Sequence, residues 1–360
     1  MSLFGFNLLA FLLVLTPIVF IHELGHFWAA RRSGVTVEVF SVGFGRELIG
    51  FTDRHGTRWR FSLIPLGGYV RMAGDTSEAG GAEAGAEHIA GNFAAASLAA
   101  RAFIVSMGPI ANMLLGIMLF AGIYLGLGKV IIPPQIGEVI EGGAAERAGL
   151  VRGDLVLEVN GYSIDDFNDL RGHILENPGR EISMLVERDG AILSLPVTPD
   201  TEHDACMVVD FGKLGVRSAG GEHRQMGPAD ALVTATADSF SLALTMLRGI
   251  GRLVSGNANS GEIGGPVKIA EMSGRAASQG LISLVFFAAL ISINLALVNL
   301  LPIPALDGGH LLLYAVEAVL GRPLGQRLQE ILMRGGMALL LSLIVLVTVL
   351  DILSVTRSDC

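Results

Sequence analysis

Two histidines and a glutamate near the N-terminus could form a metal-dependent hydrolytic site. His22, Glu23 and His26 make a His-Glu-x-x-His pattern directly after the uncharged stretch 2–21. In a helix, residues four apart share a face, so both imidazoles can reach one Zn²⁺. The carboxylate beside them can activate water for attack on a carbonyl. The pattern predicts a zinc site with Glu23 as its general base.

A catalytic zinc site needs three protein ligands and one open position. One class of soluble zinc proteases has its third histidine ligand six residues after the second. In this chain the residue six positions after His26 is Arg32. Glu38 and Glu47 are weak candidates because they fall in a strand-like region. Asp307 is favoured because 299–309 interrupts an apolar helix, and an acid at membrane depth is normally paired or bound to metal. The alternative for Asp307 is a solvated helix end.

The composition indicates an integral membrane protein. Of 360 residues, 51% are hydrophobic and only 16% are charged, and the mean hydropathy is +0.57. The formal net charge of -9 argues against nucleic acid binding, which requires a basic face. Cys206 and Cys360 lack the spacing of a metal site or disulfide framework, so free thiols are expected. A bond between them is a weaker alternative.

Four apolar segments predict four transmembrane helices, at 1–30, 101–128, 276–310 and 335–356. Arginines are concentrated between the first and second segments and between the third and fourth, where 311–334 predicts a loop or short helix. The positive-inside rule places both of these regions in the cytoplasm. Both termini and the long segment between the second and third spans would then face the periplasm of a bacterium.

The cytoplasmic region 31–100 divides into two parts. Residues 35–70 alternate and are rich in glycine, valine and phenylalanine, which predicts short strands around a turn at 53–56. Residues 75–91 are rich in glycine, alanine and glutamate, which predicts a mobile loop.

The segment 129–200 alternates strand and helix patterns, with a hairpin signal at Asp189-Gly190. The pattern resembles a bacterial PDZ domain, a fold that binds extended peptides by strand addition. A small α+β domain without a peptide ligand is the alternative. Residues 201–275 predict a linker and an amphipathic helix, 230–256, lying either on the membrane or on this domain.

The histidine motif and the broken third span together resemble the site-2 protease family of intramembrane zinc proteases. With its inserted PDZ domain, the chain resembles the bacterial regulator-of-sigma-E (RseP) branch. The resemblance covers nearly the whole chain. Residues 65–72 resemble the family's membrane-re-entrant β-loop, 108–112 its second-span motif, and 264–267 the segment before its third span. One PDZ domain in place of two puts in doubt any gating scheme that needs a tandem pair.

The resemblance implies a polytopic α-helical membrane protein with a cytoplasmic β-rich region and an inserted α+β PDZ domain. It implies cleavage, within the bacterial inner membrane, of single-span proteins already trimmed by another protease. An anti-sigma factor in a stress response is one such substrate, and a remnant signal peptide is another. The PDZ domain would act as a size filter. Gly67, Gly68, Tyr69 and Val70 are expected to pair with the substrate as an added strand.

Two asparagines in apolar spans, Asn112 and Asn299, are expected to contact the substrate backbone. Hydrogen bonding between helices is the alternative for each.

Two other protein classes also fit parts of the pattern. A catalytically silent scaffold explains the spans and the PDZ pattern but not Glu23 between two histidines. A metal transporter also uses broken helices and buried acids, but usually shows internal repeats, and none is visible in the sequence.

Overall fold

The computed structural model describes residues 3–74, 91–204, 209–254, 265–322 and 324–356. The chain forms two compact units. The first comprises Met1–Gly122, Leu232–Arg248 and Gly264–Arg357, and the second comprises Ile123–Ala231, Gly249–Ile263 and Ser358–Cys360. Residues 75–90 of the expected mobile loop at 75–91, both cysteines and Gly264 lie outside the described residues.

Both units contain helices in the described part of the chain. In chain order they are α1 (Leu3–Arg32), α2 (Leu98–Leu127), α3 (Ala144–Arg147), α4 (Phe167–Leu175), α5 (Pro228–Val254), α6 (Pro266–Ser278), α7 (Leu281–Leu300), α8 (Asp307–Leu320) and α9 (Gln326–Thr356).

The strands fall into two groups, a long pair after α1 and a series of shorter strands in the second unit. They are β1 (Val37–Thr52), β2 (Arg58–Met72), β3 (Lys129–Ile131), β4 (Ile136–Val139), β5 (Leu155–Val159), β6 (Tyr162–Ser163), β7 (Ile182–Arg188), β8 (Ala191–Val197), β9 (Asp200–Asp204), β10 (Val209–Lys213), β11 (Val216–Ser218) and β12 (Glu222–Arg224).

Four helices in the described part of the chain are long and apolar enough to cross a membrane, as the sequence predicted. They lie within α1, α2, α7 and α9. The chain is therefore a multi-pass membrane protein.

Two predicted boundaries are wrong. The segment 276–310 is divided among α6, α7 and α8, because Gly280 at φ 114° and the prolines after Leu300 end the helices. The last helix begins at Gln326, since 326–334 consists of good helix formers.

The predicted turn at 53–56 joins two long strands, which replace the short ones expected. The first half of β1 lies between the two halves of β2, so Phe40 pairs with both Trp59 and Val70. Phe40 stacks on Trp59 at a centroid distance of 4.4 Å, and Phe27 of α1 meets Trp59 edge-on at 5.0 Å. This aromatic cluster holds the hairpin against the end of α1 that carries the histidines.

Small side chains bring α6 and α7 close to α1. Ser273, Gly274 and Ala276 are buried on one face of α6. Val14 and Ile18 of α1 pack in one cluster with Ala276 and with Phe287 of α7. These contacts place α7, and the non-helical turn that follows it, beside the first span.

The second unit is built around a sheet with strand order β6-β5-β7-β8. Asp189 and Gly190 both have positive φ, 51° and 81°, as a two-residue hairpin requires. The core contains Ile136, Val156 and Met184, each fully buried. The segment expected to be a linker also contributes: β11 pairs with β4, and β12 pairs with β3. These strands are only three residues long, too short to produce a clear alternation.

Candidate metal centre

The two histidines of α1 converge on one point, as predicted. They lie one helical turn apart, and both residues are buried, with 7% and 9% of their surface exposed for His22 and His26. Their Nε2 atoms are 3.1 Å apart. Two imidazoles brought this close on one helix face can share a metal ion.

The carboxylate of Asp307 reaches the same point from the start of α8. Its Oδ2 lies 3.2 Å from Nε2 of His22 and 3.6 Å from Nε2 of His26. Pro302 and Pro304 prevent a continuous helix across the preceding turn. A Cβ on the next residue, Gly308, would overlap with the carbonyls of residues 300 and 301, so a larger side chain would displace the start of α8.

The spacing of the three atoms fits zinc. Nitrogen and oxygen ligands about 2.0–2.1 Å from a tetrahedral Zn²⁺ lie roughly 3.3 Å from each other. The three distances, 3.1, 3.2 and 3.6 Å, bracket this value. The two weaker candidates are engaged elsewhere: Glu38 accepts from Arg71 at 2.9 Å, and Glu47 pairs with Arg58.

The Nδ1 atoms of both histidines face groups on α2. Nδ1 of His26 lies 2.9 Å from the carbonyl oxygen of Ile104, so its N–H can donate there and leave Nε2 for a metal. Nδ1 of His22 lies 3.3 Å from the side-chain nitrogen of Asn112. Asn299 approaches from α7, with its side-chain nitrogen 3.5 Å from Nε2 of His22. The structure thus brings both predicted asparagines to the histidine pair.

Glycines allow α1 and α2 to approach each other at the centre. A Cβ on Gly108 would overlap with Nε2 of His26 and lie 2.9 Å from Cε1 of His22. A Cβ on Gly25 would overlap with the carbonyl of Met107. The sequence marked Gly108 only as part of a motif, because which side chains it faces depends on how two distant helices cross.

The hairpin brings Gly68 next to Glu23. A Cβ on Gly68 would lie 3.1 Å from Cγ of Glu23 and 2.8 Å from the carbonyl oxygen of Ser41. Gly67 has a φ of 112°, a conformation that favours glycine. Gly68, one of the predicted substrate residues, therefore borders the predicted base, and Gly67 lies against the ring of Phe44. The other two are packed within the hairpin, Tyr69 against Phe44 and Val70 against the aromatic core.

A buried ion pair ties α8 to the start of α2, and sequence reasoning did not find it. The guanidinium of Arg101 donates to Glu317 at 2.7 and 3.4 Å and lies 5.0 Å from the ring centroid of Tyr314. The side chains of Arg101 and Glu317 are 18% and 11% exposed. The sequence feature that could have indicated this pair is Glu317, an acidic residue within the apolar helix 307–320. The pair holds the helix that begins at Asp307.

The fold and this site together define a class: a multi-pass membrane protein with a site suited to metal-dependent hydrolysis. The model of peptidase family M50 matches residues 10–343. An Agrobacterium fabrum protein named "Putative zinc metalloprotease" is 39% identical over 357 residues, covering 96% of this chain and 95% of its own. "Metalloprotease MmpA" of Caulobacter vibrioides is 36% identical, covering 93% and 92%.

The chain therefore belongs to peptidase family M50, the site-2 protease family. It is a zinc-dependent metallopeptidase of the membrane. Members of the family act on membrane protein substrates within the bilayer.

Proposed function

We propose that this protease hydrolyses peptide bonds of single-span membrane proteins inside the bilayer, with zinc held by His22, His26 and Asp307. The observation that carries the proposal is the convergence of three ligand atoms from two separate helices. They meet among helices apolar enough to span a membrane. A transporter would not need a carboxylate such as Glu23 beside the ligands.

Zinc, when bound, polarises the scissile carbonyl and makes water acidic enough to attack near neutral pH. Glu23 accepts the proton of the attacking water and later delivers it to the leaving nitrogen. The side-chain N–H of Asn299 donates a hydrogen bond to a backbone carbonyl of the substrate beside the metal. Two observations support these roles: Glu23 is adjacent to His22 in the chain, and the side-chain nitrogen of Asn299 lies 3.5 Å from Nε2 of His22.

A transmembrane helix must unwind before hydrolysis, because its carbonyls are bonded within the helix. We infer that the unwound segment pairs with residues 67–70 of β2. In the described structure, Gly68, Tyr69 and Val70 pair with β1 along one edge. An added strand on the other edge would run past Glu23, whose Cγ lies next to Gly68.

Zinc content after substitution of Asp307 tests the ligand set. Asp307→Ala removes one of three ligands, so purified protein should lose most of its zinc and its cleavage of a membrane substrate. Asp165→Ala, at an exposed position of the second unit, is the control and should retain both. Unchanged zinc occupancy in Asp307→Ala would remove Asp307 from the site.

We propose the bacterial inner membrane as the location, with the metal centre toward the cytoplasm and the second unit and both termini in the periplasm. The arginine-rich segments support this orientation. Arg54→Cys and Arg171→Cys place thiols at exposed positions of the hairpin turn and of α4. With Cys206 and Cys360 replaced by serine, an impermeant maleimide should label the second variant in intact spheroplasts and the first only after lysis. The reverse pattern would invert the orientation.

We further propose that the second unit is a PDZ domain that excludes substrates with intact ectodomains. An upstream protease would then have to trim the substrate first, as for an anti-sigma factor in a stress response or a remnant signal peptide. The strand and helix order of 136–218 supports the PDZ assignment.

The paired strands β3 and β12 allow a clean excision to test the filter. Ile131 of β3 pairs with Glu222 of β12. Replacing residues 132–221 by a short glycine-serine linker therefore keeps the paired strands β3 and β12 intact. The shortened protease should cleave an untrimmed single-span substrate that the full chain leaves intact. A continued requirement for trimming would contradict the filter.

A further inference from the structure

Asn112 is enclosed by protein and its side chain lies beside His22. Its residue surface is 0% exposed, in the middle of α2. Its backbone carbonyl accepts a hydrogen bond from Oγ of Ser292 at 2.7 Å, which fixes it against α7. Its side chain faces Nδ1 of His22. A group enclosed in this way has no surface left for a peptide.

The contact between Asn112 and His22 is chemically incomplete as it stands. The amide nitrogen lies 3.3 Å from Nδ1 of His22, while the amide oxygen is buried without a hydrogen-bond partner among the described residues. A neutral imidazole that uses Nε2 as a ligand carries its proton on Nδ1. Two donors would then face each other beside an unused acceptor, and each unpaired buried group is costly.

We propose that Asn112 is a positioning residue whose Oδ1 accepts the Nδ1–H of His22, with its amide oxygen and nitrogen in exchanged places. The two ends of an amide have nearly the same shape, so both orientations fit the same space. The exchanged orientation gives the orphaned oxygen a donor and leaves Nε2 of His22 free for the metal. The carbonyl of Ile104 does the same for His26. One helix, α2, thus supplies acceptors for both histidine ligands.

This inference rests on the proposed function in one respect, since it takes Nε2 of His22 as a zinc ligand. The two proposals fail differently. If His22 is no ligand, His22→Ala retains zinc. If only the role of Asn112 is wrong, His22→Ala loses zinc and substitutions of Asn112 do not change zinc release.

The test is the rate at which purified protein releases zinc to an excess of a chromogenic chelator, which needs no substrate. Asn112→Leu keeps the volume but removes both polar atoms, and we expect release to be about 10–100-fold faster. Asn112→Asp keeps acceptor oxygens but cannot donate when ionised, and we expect release within about threefold of the wild-type rate. Ser106→Ala is the control for the effect of substitution on this helix, because it removes a half-buried hydroxyl that bonds to the backbone of Phe103.

The aspartate variant keeps the proposal falsifiable if the leucine variant does not fold. Fast zinc release from Asn112→Asp would show that the amide nitrogen, or the amide as a whole, is the functional end, and would overturn the proposal. Wild-type release from Asn112→Leu, with a raised KM for substrate, would also overturn it in favour of substrate binding. The visible spectrum of the Co²⁺-substituted protein provides a second readout, which should change in Asn112→Leu and persist in Asn112→Asp.

Discussion

A single methyl group at Gly108 should be enough to disturb the metal centre. The added Cβ would overlap with Nε2 of His26, the nitrogen proposed as a ligand. Gly108→Ala should therefore weaken zinc binding on the order of 10–100-fold, the range seen when groups supporting metal ligands are altered. Competition with a chelator of known affinity measures the change.

Gly122→Ala is the matched control for that prediction. Gly122 lies on the same helix, and a Cβ there meets nothing within 4 Å. Both variants add the same methyl group and gain the same helix propensity. Equal zinc affinity in the two variants would mean that the close approach of α1 and α2 does not shape the site.

Residues whose chemistry shows in their type and spacing could be found from the sequence. His22, Glu23 and His26 form a local pattern, and Asp307 stands out as an acid in an apolar segment. Gly108 and Asn112 could be noticed but not assigned a role, because their partners lie across a helix crossing. The expected substrate contact of Asn112 is replaced in our account by a contact with His22.

At the scale of elements, the position of α8 depends on the buried pair of Arg101 and Glu317. Removing one partner leaves a charge in a site with little solvent, which typically costs about 3 kcal/mol. Glu317→Ala should lower the free energy of unfolding in detergent by about that amount. Because α8 begins with Asp307, zinc release should also become faster.

An exposed pair provides the comparison. Arg334 and Glu330 are 80% and 65% exposed, so Glu330→Ala should cost less than about 0.5 kcal/mol. Denaturant titrations of both variants measure the difference. A loss as small for Glu317→Ala as for Glu330→Ala would show that the buried pair does not hold α8.

The second unit should be sensitive to acid through Asp154. Burial opposes the charge of this side chain, but hydrogen bonds from Arg188 and from the backbone of Val151 outweigh it and hold its pKa below the ordinary value. A lowered pKa stabilises the fold above the unfolded-state value of about 3.9, and this contribution is lost as pH falls through the folded-state value. The unit should therefore loosen only below about pH 4.

Limited proteolysis of the full chain at several pH values checks this dependence, with an acid-active protease at the low end. Asp154→Asn should open the second unit already near neutral pH and flatten its response to acid. Asp165→Asn, at an exposed position, should behave as wild type. An unchanged pH profile in Asp154→Asn would exclude the pair with Arg188 as the acid-sensitive contact.

Strongly patterned elements were predictable and weakly patterned ones were not. The spans, the hairpin turn and the strands around Asp189 followed from hydropathy, alternation and turn residues. The separation of α6 from α7 depends on Gly280, a single residue in an uncharged run. The strands β11 and β12 form because distant strands pair with them, which a local pattern cannot show.

At the scale of the whole molecule, the composition and two distant motifs predicted a membrane zinc protease, and membership of peptidase family M50 confirms that class. The two motifs lie about 280 residues apart, from His26 to Asp307 (307 − 26 = 281). The sequence alone could not show that they meet. The ligand atoms of α1 and α8 lie within 3.6 Å of each other. The packing of α6 and α7 against α1 brings these two helices together.

The most direct test of the central claim measures zinc and cleavage together in Glu23→Gln. The substitution keeps the shape of the side chain but removes the base, while the three proposed ligands remain. We predict wild-type zinc content with cleavage of a trimmed membrane substrate reduced by about 10²–10⁴-fold. Glu38→Gln, on the hairpin and 46% exposed, should retain both. Cleavage at the wild-type rate by zinc-loaded Glu23→Gln would contradict the account.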